Sequence, residues 1–474
     1  MNDSSSKYLL SLVGLSFGLL ILLSAIPWSD ITNNTIKDFN LFEDVLPSRP
    51  VMAASDPLPL DLELAGLETE SASNSGGADG TNPLPAGSDS IEPDTVPEIL
   101  PVYEEAPLYD GKVIIESYAG GQGVLPHFRQ ALSEAGKRTV RVAVLGDSYI
   151  EGDIFVQDVR RLLQERHGGS GVGFSPMHSE FPGFRRSMNL SSQGWTLHDI
   201  RTQGKRDSLR TLSGDYAVAD INAISTFKGS KRTPHADSWE RTTFIFVAPA
   251  AGSVKLSGDN GIVIEKTIEA SPEPQSLVLE GSTASATVQT NVPGLIGLGV
   301  YADAMTGVQV DCMSVRGNSG MSLNRLNNVL CTDMRQWVDY DLIVLEFGMN
   351  VISQGRLDYT AYGQYMQPVV ESLKKLYPNA DILIMGVGDR ASKASGTLAS
   401  MPECTGMVNA QRNLARQTGT YFWDTRAAMG GDGAAMEWRK KKYLNADYIH
   451  LNHDGGGELA ELFDFALNHA VSND

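Results

Sequence analysis

Cysteine is scarce in this sequence. Only three cysteines occur, Cys312, Cys331 and Cys404, and no two of them have C-x-x-C spacing. An odd count without that spacing indicates neither a disulfide framework nor a zinc knuckle. Two states stay open at this stage: buried free thiols, or a Cys312–Cys331 bridge if the protein lies in an oxidising compartment.

Positive charge is also in short supply. The sequence has 38 Lys and Arg residues but 57 Asp and Glu residues, which gives a formal net charge of −19. Phosphate backbones repel a polyanion of this kind, so we predict no nucleic-acid partner. The chain is still 42% hydrophobic and 474 residues long, enough for two or three domains with real cores.

Charged residues are absent between Lys7 and Asp30, where an apolar run extends over 8–28. A run of about 20 apolar residues matches the thickness of a bilayer. A cleaved signal peptide is the alternative, but Leu23 stands where a small residue is wanted before the cut. Lys7 precedes the run and acidic residues follow it, which favours a cytoplasmic N-terminus. We therefore predict a membrane anchor over 1–30, with the body of the protein periplasmic or extracytoplasmic.

The next segment is rich in Pro, Gly, Ser, Ala, Asp and Glu, most clearly over 47–107. Few aromatic or β-branched residues are available there to form a core. We predict a disordered acidic linker over 31–110.

Strand and helix patterns alternate in two parts of the remaining chain. Apolar runs predict strands over 139–145, 341–346, 381–386 and 420–423. Helical periodicity predicts helices over 154–166, 359–377, 407–417 and 456–469. This alternation predicts an α/β domain with a parallel sheet covered on both faces, built from residues 111–180 and 305–474. Functional loops in such sheets lie at the carboxyl ends of the strands.

Between the two parts the pattern changes to short alternating runs separated by Gly, Pro, Asn and Ser. These runs predict strands over 243–248, 253–256, 262–268, 276–279, 286–290 and 295–301. Their spacing predicts an antiparallel β-sandwich or jelly roll over 181–304, inserted into the α/β domain.

Four short motifs carry the candidate chemistry. In chain order they are Gly146-Asp147-Ser148, Gly317-Asn318-Ser319-Gly320, Gly348-Met349-Asn350 and Asp447-Tyr448-Ile449-His450. Together they resemble the SGNH (GDSL-type) hydrolase family, in which four blocks contribute Ser, Gly, Asn and an Asp-x-x-His pair. The resemblance implies a flavodoxin-like three-layer fold with Ser148, Asp447 and His450 as catalytic residues. It also implies an oxyanion hole made by Ser148, Gly320 and Asn350, with Gly317 as the alternative glycine.

The same residues support this chemistry on physical grounds. A serine hydroxyl is a poor nucleophile unless an adjacent base takes its proton. Asp447 stands three residues before His450, close enough to accept the Nδ1 hydrogen and to present Nε2 to Ser148. No metal or organic cofactor is required by this set.

Several neighbouring residues have simpler interpretations. His450 and His453 have a spacing that can bind a metal on a helix, but no third ligand cluster is evident. Asp147 and Asp153 are predicted to stabilise a turn. The glycines over 168–173 lack the Lys-Ser/Thr of a phosphate loop and predict a flexible connection. The aromatic residues that could stack on sugars are more often core residues, namely Phe184, Trp195, Trp239 and Tyr301.

The long separation of Ser148 from Gly320 narrows the resemblance further. It is similar to the periplasmic peptidoglycan O-acetylesterases, in which a carbohydrate-binding-module-like β-domain interrupts the catalytic domain. This implies a serine esterase that removes O-acetyl groups from an envelope polysaccharide, peptidoglycan first, and that reaches it from the membrane. Two alternatives use the same parts: a polysaccharide O-acetyltransferase, and a tethered glycan-binding protein with a non-catalytic domain.

Overall fold

The computed structural model describes residues 100–121, 123–200, 209–393 and 396–472. The predicted anchor and residues 31–99 of the predicted linker lie outside these ranges. Within them, no helix is both long and apolar enough to cross a bilayer.

Nineteen strands occur in the described part of the chain. In order they are β1 Leu108–Tyr109, β2 Lys112–Val113, β3 Glu116–Ser117, β4 Thr139–Gly146, β5 Gly173–Ser175, β6 Met188–Asp199, β7 Asp215–Gly229, β8 Trp239–Ala248, β9 Gly252–Gly258, β10 Val263–Ile268, β11 Ser271–Thr283, β12 Ser285–Thr290, β13 Ile296–Asp303, β14 Gly307–Ser314, β15 Leu342–Glu346, β16 Asp381–Met385, β17 Ala391–Ser392, β18 Ala399–Ser400 and β19 Tyr421–Trp423.

Eight α-helices occur in the same described ranges. They are α1 Pro126–Ser133, α2 Val156–His167, α3 Asn328–Met334, α4 Thr360–Leu376, α5 Glu403–Thr418, α6 Thr425–Met429, α7 Ala434–Lys440 and α8 His453–Ser472. Short 3₁₀ turns at Glu151–Asp153, Pro182–Phe184, Met321–Arg325 and Met349–Val351 join some of them.

A six-stranded sheet forms the centre of the α/β half, in the order β14-β4-β15-β16-β19-β3. The first five strands are parallel, as the alternation of strands and helices predicts. The edge strand β3 runs antiparallel to β19, so the sheet is mixed and not wholly parallel. All five residues of β15 and of β16 are buried, which explains why four of the five are apolar in each strand.

Helices pack on both faces of this sheet. On one face α8 contacts α1 and α2, and the three share a core with strand residues such as Val142 and Val144. The intervening residues Ala143 and Leu145 are also buried and belong to the opposite face, because side chains alternate along a strand. Helices α4 and α5 contact each other and β16. This is the predicted three-layer arrangement.

The β-rich half forms one nine-stranded antiparallel sheet made of β5 to β13. Its two ends come together, because β11 contacts β9 and β10, and the sheet encloses an apolar core of its own. The predicted strands are all present, and the long strands β6 and β7 are additional. Hydrogen bonds connect all nine strands into a single sheet that folds on itself. A sandwich of two separate sheets is therefore not shown, and it stays a prediction.

The glycine-rich segment over 168–173 is not the flexible connection that its composition predicts. Gly171 and Gly173 are buried, and the N–H of Gly171 donates to the carbonyl of His235 at 2.8 Å. The segment leads into β5, which pairs with β13 in the β-rich sheet. Close packing against neighbouring strands, which composition does not reveal, explains the difference.

Residues at the end of the predicted linker pack against the α/β half. The hydroxyl of Tyr103 donates to Asp424 Oδ2 at 2.6 Å, and Arg412 Nη1 donates to the carbonyl of Glu104 at 3.0 Å. The folded part therefore includes residues from 103 onwards, although the linker was predicted to extend to 110. Arg412 is 0% exposed and needs acceptors, and it finds them in the distant Glu104 carbonyl and Glu116 carboxylate.

Candidate active site

Three of the four motifs follow neighbouring strands of the parallel sheet. Gly146, the last residue of β4, pairs with Ser314 of β14 on one side and with Glu346 of β15 on the other. The loops that carry Ser148, Gly320 and Asn350 therefore leave the sheet at the same level. This is the carboxyl edge at which parallel sheets place their functional loops.

Ser148 lies in a tight turn directly after β4. A Cβ at Gly146 would lie 2.9 Å from the carbonyl oxygen of Glu346 and 2.8 Å from the Ile150 side chain, so only glycine fits there. Asp147 Oδ1 accepts the N–H of Tyr149 at 2.8 Å and closes the turn, as predicted for this residue. These contacts leave Ser148 half-buried at the sheet edge.

His450 bridges Ser148 and Asp447. Its Nε2 lies 2.9 Å from Ser148 Oγ, and its Nδ1 lies 2.8 Å from Asp447 Oδ2. Both distances are within the range of a catalytic hydrogen bond. The structure therefore brings together the three residues predicted to be catalytic.

The loop before α8 holds this histidine. Asp447 Oδ1 accepts the N–H groups of Ile449 and His450, each at 3.0 Å, while its Oδ2 faces the imidazole. An antiparallel bridge between Leu444 and Leu451 closes the loop. Burial raises the pKa of Asp447, but the hydrogen bonds from His450 and from the backbone outweigh it, and the pKa lies below its ordinary value. Asp447 is thus an anion at neutral pH.

The candidate oxyanion donors are connected through Asn318. Asn350 Nδ2 donates to Asp147 Oδ2 at 2.6 Å and contacts the Asn318 carbonyl at 3.3 Å. The N–H of Gly320 donates to Asn318 Oδ1 at 2.9 Å. Asn318 is 4% exposed. It therefore organises both donors, a role that the sequence did not single out.

Packing also requires glycine at position 320. Gly320 has φ of +86°, and a Cβ there would lie 2.9 Å from Phe347 and from Met366. Gly317 has φ of +77°, with open space around a Cβ. The choice of Gly320 over Gly317 as a donor stays a prediction, because the N–H of Gly320 is engaged by Asn318 in this state.

A second carboxyl group lies behind the nucleophile. Glu346, the last residue of β15, is 1% exposed, and neither of its carboxyl oxygens has a hydrogen-bond partner among the described residues. Burial raises its pKa well above the ordinary value, and the nearby Asp147 raises it further. Burial also raises the pKa of Asp147 to about 7, against the hydrogen bond from Tyr149 and the proximity of His450. A single carboxylate at the end of an apolar strand was the available sequence signal for Glu346.

These raised pKa values make stability depend on pH. In the unfolded chain both carboxyls ionise near pH 4. Above that pH the folded protein keeps a proton on Glu346 that the unfolded chain releases, so the free energy of unfolding falls as pH rises. We expect Glu346→Gln, which cannot ionise, to gain stability relative to the unmodified protein as pH rises from 5 to 8. The gain is at most about 4 kcal/mol, because one retained proton is worth about 1.36 kcal/mol per pH unit.

Denaturant titrations at pH 5 and pH 8 measure this difference. Glu280→Gln, at an exposed position on β11, is the matched control and should follow the unmodified protein at both pH values. Equal pH dependence in Glu346→Gln and in the unmodified protein would contradict the assignment of a buried proton at this position.

The remaining predicted residues have structural contacts. His453 Nδ1 lies 3.2 Å from Gln157 Nε2, while both ring nitrogens of His450 face Ser148 and Asp447. No group of three or more metal-ligating side chains occurs in the described ranges. Asp153 is fully buried and pairs with Arg160 at 2.8 Å.

The three cysteines are free and buried, so the conceivable Cys312–Cys331 bridge is not formed. Burial raises the pKa of each thiol to about 12. Trp195, Trp239 and Tyr301 are buried core residues, whereas Phe184 is 41% exposed. Of the four aromatic residues that could stack on sugars, only Phe184 is accessible to solvent.

Comparison with known proteins gives a structural match without a sequence match. No model of a known protein family matches the chain, and no curated protein is similar to it. One solved structure, described as a peptidoglycan O-acetylesterase in action, is similar with a TM-score of 0.63 and 21% identity. The match covers 76% of this chain and 99% of that one.

Two other similar structures are family two carbohydrate esterases. The one from Clostridium thermocellum has a TM-score of 0.27 and 10% identity, over 54% of this chain and 94% of its own. The one from Cellvibrio japonicus has a TM-score of 0.26 and 11% identity, over 60% and 98%. Of these three structures, the peptidoglycan O-acetylesterase is the one similar enough to support a statement about the fold.

Proposed function

We propose that this chain, which has the fold of the SGNH hydrolases, is a serine esterase that removes O-acetyl groups from a cell-envelope polysaccharide. One observation carries the proposal: the hydrogen-bonded series from Ser148 Oγ through His450 to Asp447, at 2.9 Å and 2.8 Å. A serine at a sheet edge needs such a series only if its proton has to move.

In the first step Ser148 Oγ attacks the acetyl carbonyl carbon while His450 Nε2 takes the hydroxyl proton. A C–O bond forms to Ser148, and the carbonyl electron pair moves to the oxygen. When the tetrahedral species collapses, the sugar oxygen leaves with the proton that His450 holds. The acetyl group then remains on Ser148.

Asp447 supports the proton transfer electrostatically. Its carboxylate accepts the Nδ1 hydrogen of His450, so that the lone pair of Nε2 points at Ser148. Because the pKa of Asp447 is lowered, it stays negative and stabilises the imidazolium that forms during attack. Its other oxygen stays bonded to the loop backbone, which limits movement of the imidazole.

We assign the oxyanion to Ser148 N–H and Asn350 Nδ2, and to the Gly320 N–H once that group leaves Asn318 Oδ1. One hydrogen of the Asn350 amide is held by Asp147 at 2.6 Å, and the other makes only the longer 3.3 Å contact with Asn318. The second hydrogen is the one that an oxyanion would attract. One well-placed donor typically contributes about 3–4 kcal/mol to lowering the barrier.

Hydrolysis completes the cycle. Water gives a proton to His450 and attacks the acetyl carbon on Ser148, the C–O bond to Ser148 breaks, and the proton returns to Ser148 Oγ as acetate leaves. The likeness to a peptidoglycan O-acetylesterase favours peptidoglycan as the first substrate to test. The apolar run over 8–28 supports a location outside the cytoplasm, at the membrane surface.

Acetate release from O-acetylated peptidoglycan and p-nitrophenol release from p-nitrophenyl acetate test the proposal with the purified full chain. We expect turnover of both esters and no transfer of acetyl to an added oligosaccharide. The control is the same peptidoglycan after alkaline removal of its acetyl groups, which should yield no acetate.

Absence of turnover with both esters would reject the esterase. Acetyl groups on the added oligosaccharide would show instead that a sugar hydroxyl replaces water in the second step, which is the transferase.

A further inference from the structure

A cleft of about 130 Å³ lies beside the nucleophile loop and opens to solvent. Three segments line it: Glu151–Asp153, just after Ser148; residues 314–316, just before Gly317; and parts of the β-rich half between 174 and 199. The cleft thus joins the catalytic half to the β-rich half. Residues near Ser148 form one wall of it.

Two exposed aromatic side chains stand at this cleft, on the segment that contains the 3₁₀ turn Pro182–Phe184. Phe181 is 53% exposed and Phe184 is 41% exposed. Large aromatic rings that stay exposed to water forgo the stabilisation that their burial would give. Two such rings next to a candidate active site indicate a contact surface for a ligand.

Phe184 contacts residues that follow Ser148 and His450 closely in the sequence. It lies against Gly152, where a Cβ would come within 2.3 Å of its ring, and its centroid is 6.5 Å from that of His453. Gly152 follows Ser148 by four residues and His453 follows His450 by three. Phe184 therefore flanks both the nucleophile loop and the histidine loop.

Phe181 combines an aromatic face with charged groups. The guanidinium of Arg316 lies 4.9 Å from its ring centroid and pairs with Glu151 at 2.7 Å. Arg316 immediately precedes Gly317 of the second motif. An aromatic ring beside a guanidinium and a carboxylate offers one apolar surface and several hydrogen-bonding groups at the same place.

The base of the turn is held rigidly. Arg185 donates to the carbonyl of Phe174 at 2.9 Å and pairs with the buried Asp153 at 3.3 Å. Arg160 pairs with the same carboxylate at 2.8 Å. These contacts anchor the residue that follows Phe184 and so hold the backbone of the turn in place.

From this geometry we infer that Phe181 and Phe184 form the sugar-binding platform of the enzyme, on which the pyranose ring carrying the acetyl ester stacks while its hydroxyls bond to Arg316 and Glu151. A pyranose has an apolar C–H face and a polar rim, which matches this surface. The inference rests on the proposed function and deepens it, since it states how a glycan ester is selected over a simple ester.

The test compares a glycan ester with a small ester. For the double variant Phe181→Ala/Phe184→Ala we expect KM for O-acetylated muropeptides to rise about tenfold, and the ratio of kcat/KM for muropeptides to kcat/KM for p-nitrophenyl acetate to fall by a similar factor. Phe181→Tyr/Phe184→Tyr keeps both rings and should retain the original KM. Tyr109→Ala removes a ring that is 55% exposed near His469, about 24 Å along α8 from His453, and serves as the control.

A binding measurement separates this inference from the proposed function. Ser148→Ala should bind the O-acetylated muropeptides. The triple variant Ser148→Ala/Phe181→Ala/Phe184→Ala should bind them at least tenfold more weakly. Unchanged KM and unchanged binding in the alanine variants would overturn the platform. A change of oligomeric state with unchanged KM would also overturn it, because the rings would then be a contact between copies of the chain. If the unmodified protein turned over neither ester, the proposed function would be rejected. The binding measurement would still decide whether Phe181 and Phe184 form a platform.

Discussion

Ser148→Ala is expected to reduce acetate release by about 10⁵-fold while leaving the fold intact. The substitution removes only the hydroxyl group. The contact of that group with His450 Nε2 at 2.9 Å shows which base would take its proton. Because Ser148 is only half-buried and alanine fits the same backbone, we expect the free energy of unfolding to change by less than about 1 kcal/mol.

Rates with p-nitrophenyl acetate, together with circular dichroism and a denaturant titration, measure the two parts of this expectation. Ser133→Ala removes an exposed hydroxyl at the end of α1 and is the control, with full activity expected. Labelling by an organophosphonate followed by mass spectrometry should place the adduct on the peptide containing Ser148. Activity above about one per cent in Ser148→Ala would show that another group is the nucleophile.

Asp447→Asn is expected to lower kcat by about 10²–10⁴-fold with little change in KM. The asparagine oxygen can still accept the N–H groups of Ile449 and His450, so the loop keeps its shape. Its amide, however, donates towards Nδ1 and favours the tautomer with hydrogen on Nε2, which cannot accept the proton of Ser148. Asp447 is 44% exposed, and water can partly replace the lost contact, so the lower part of this range is expected.

The pH profile of kcat for Asp447→Asn distinguishes this cause from unfolding. Asp454→Asn, at an exposed carboxylate in the first turn of α8, is the matched control and should retain the original kcat. If Asp447→Asn kept kcat within threefold of the unmodified protein, the orientation of His450 would depend on other contacts.

Local patterns in the sequence predicted most elements of the α/β half. The strand predicted over 139–145 and the helix over 154–166 correspond to β4 and α2 within two residues at each end. Alternation and helical periodicity are properties of neighbouring residues, and burial on both faces of a sheet reinforces them. The antiparallel edge strand β3 has only two residues and no comparable signal.

The candidate catalytic residues could be predicted because each belongs to a short motif that resembles one block of the SGNH hydrolases. Asp447 and His450 are three residues apart, and that spacing alone suggests their hydrogen bond. Ser148 is 302 residues from His450, so their contact could be proposed only through the family resemblance. Asn318 and Glu346 were missed because their roles depend on which loops and strands become neighbours.

Composition was misleading wherever tertiary packing decided the outcome. The glycine-rich segment over 168–173 packs closely, and residues from Tyr103 onwards bind the folded half, although both have the composition of loops. The open question about Cys312 and Cys331 was settled in the same way, since both thiols are buried in the fold and are not bonded.

By itself, then, the sequence determined the α/β class of one half and the order of its elements, because these follow from short-range periodicity. The candidate nucleophile, base and carboxylate came from motifs that resemble those of a known family. Only the tertiary structure decided which strand ends meet, that Asn318 holds the candidate donors, that Glu346 is buried without a partner, and that Phe181 and Phe184 remain exposed beside the catalytic loops. Burial and long-range pairing depend on contacts between distant segments, so no local stretch of sequence reveals them.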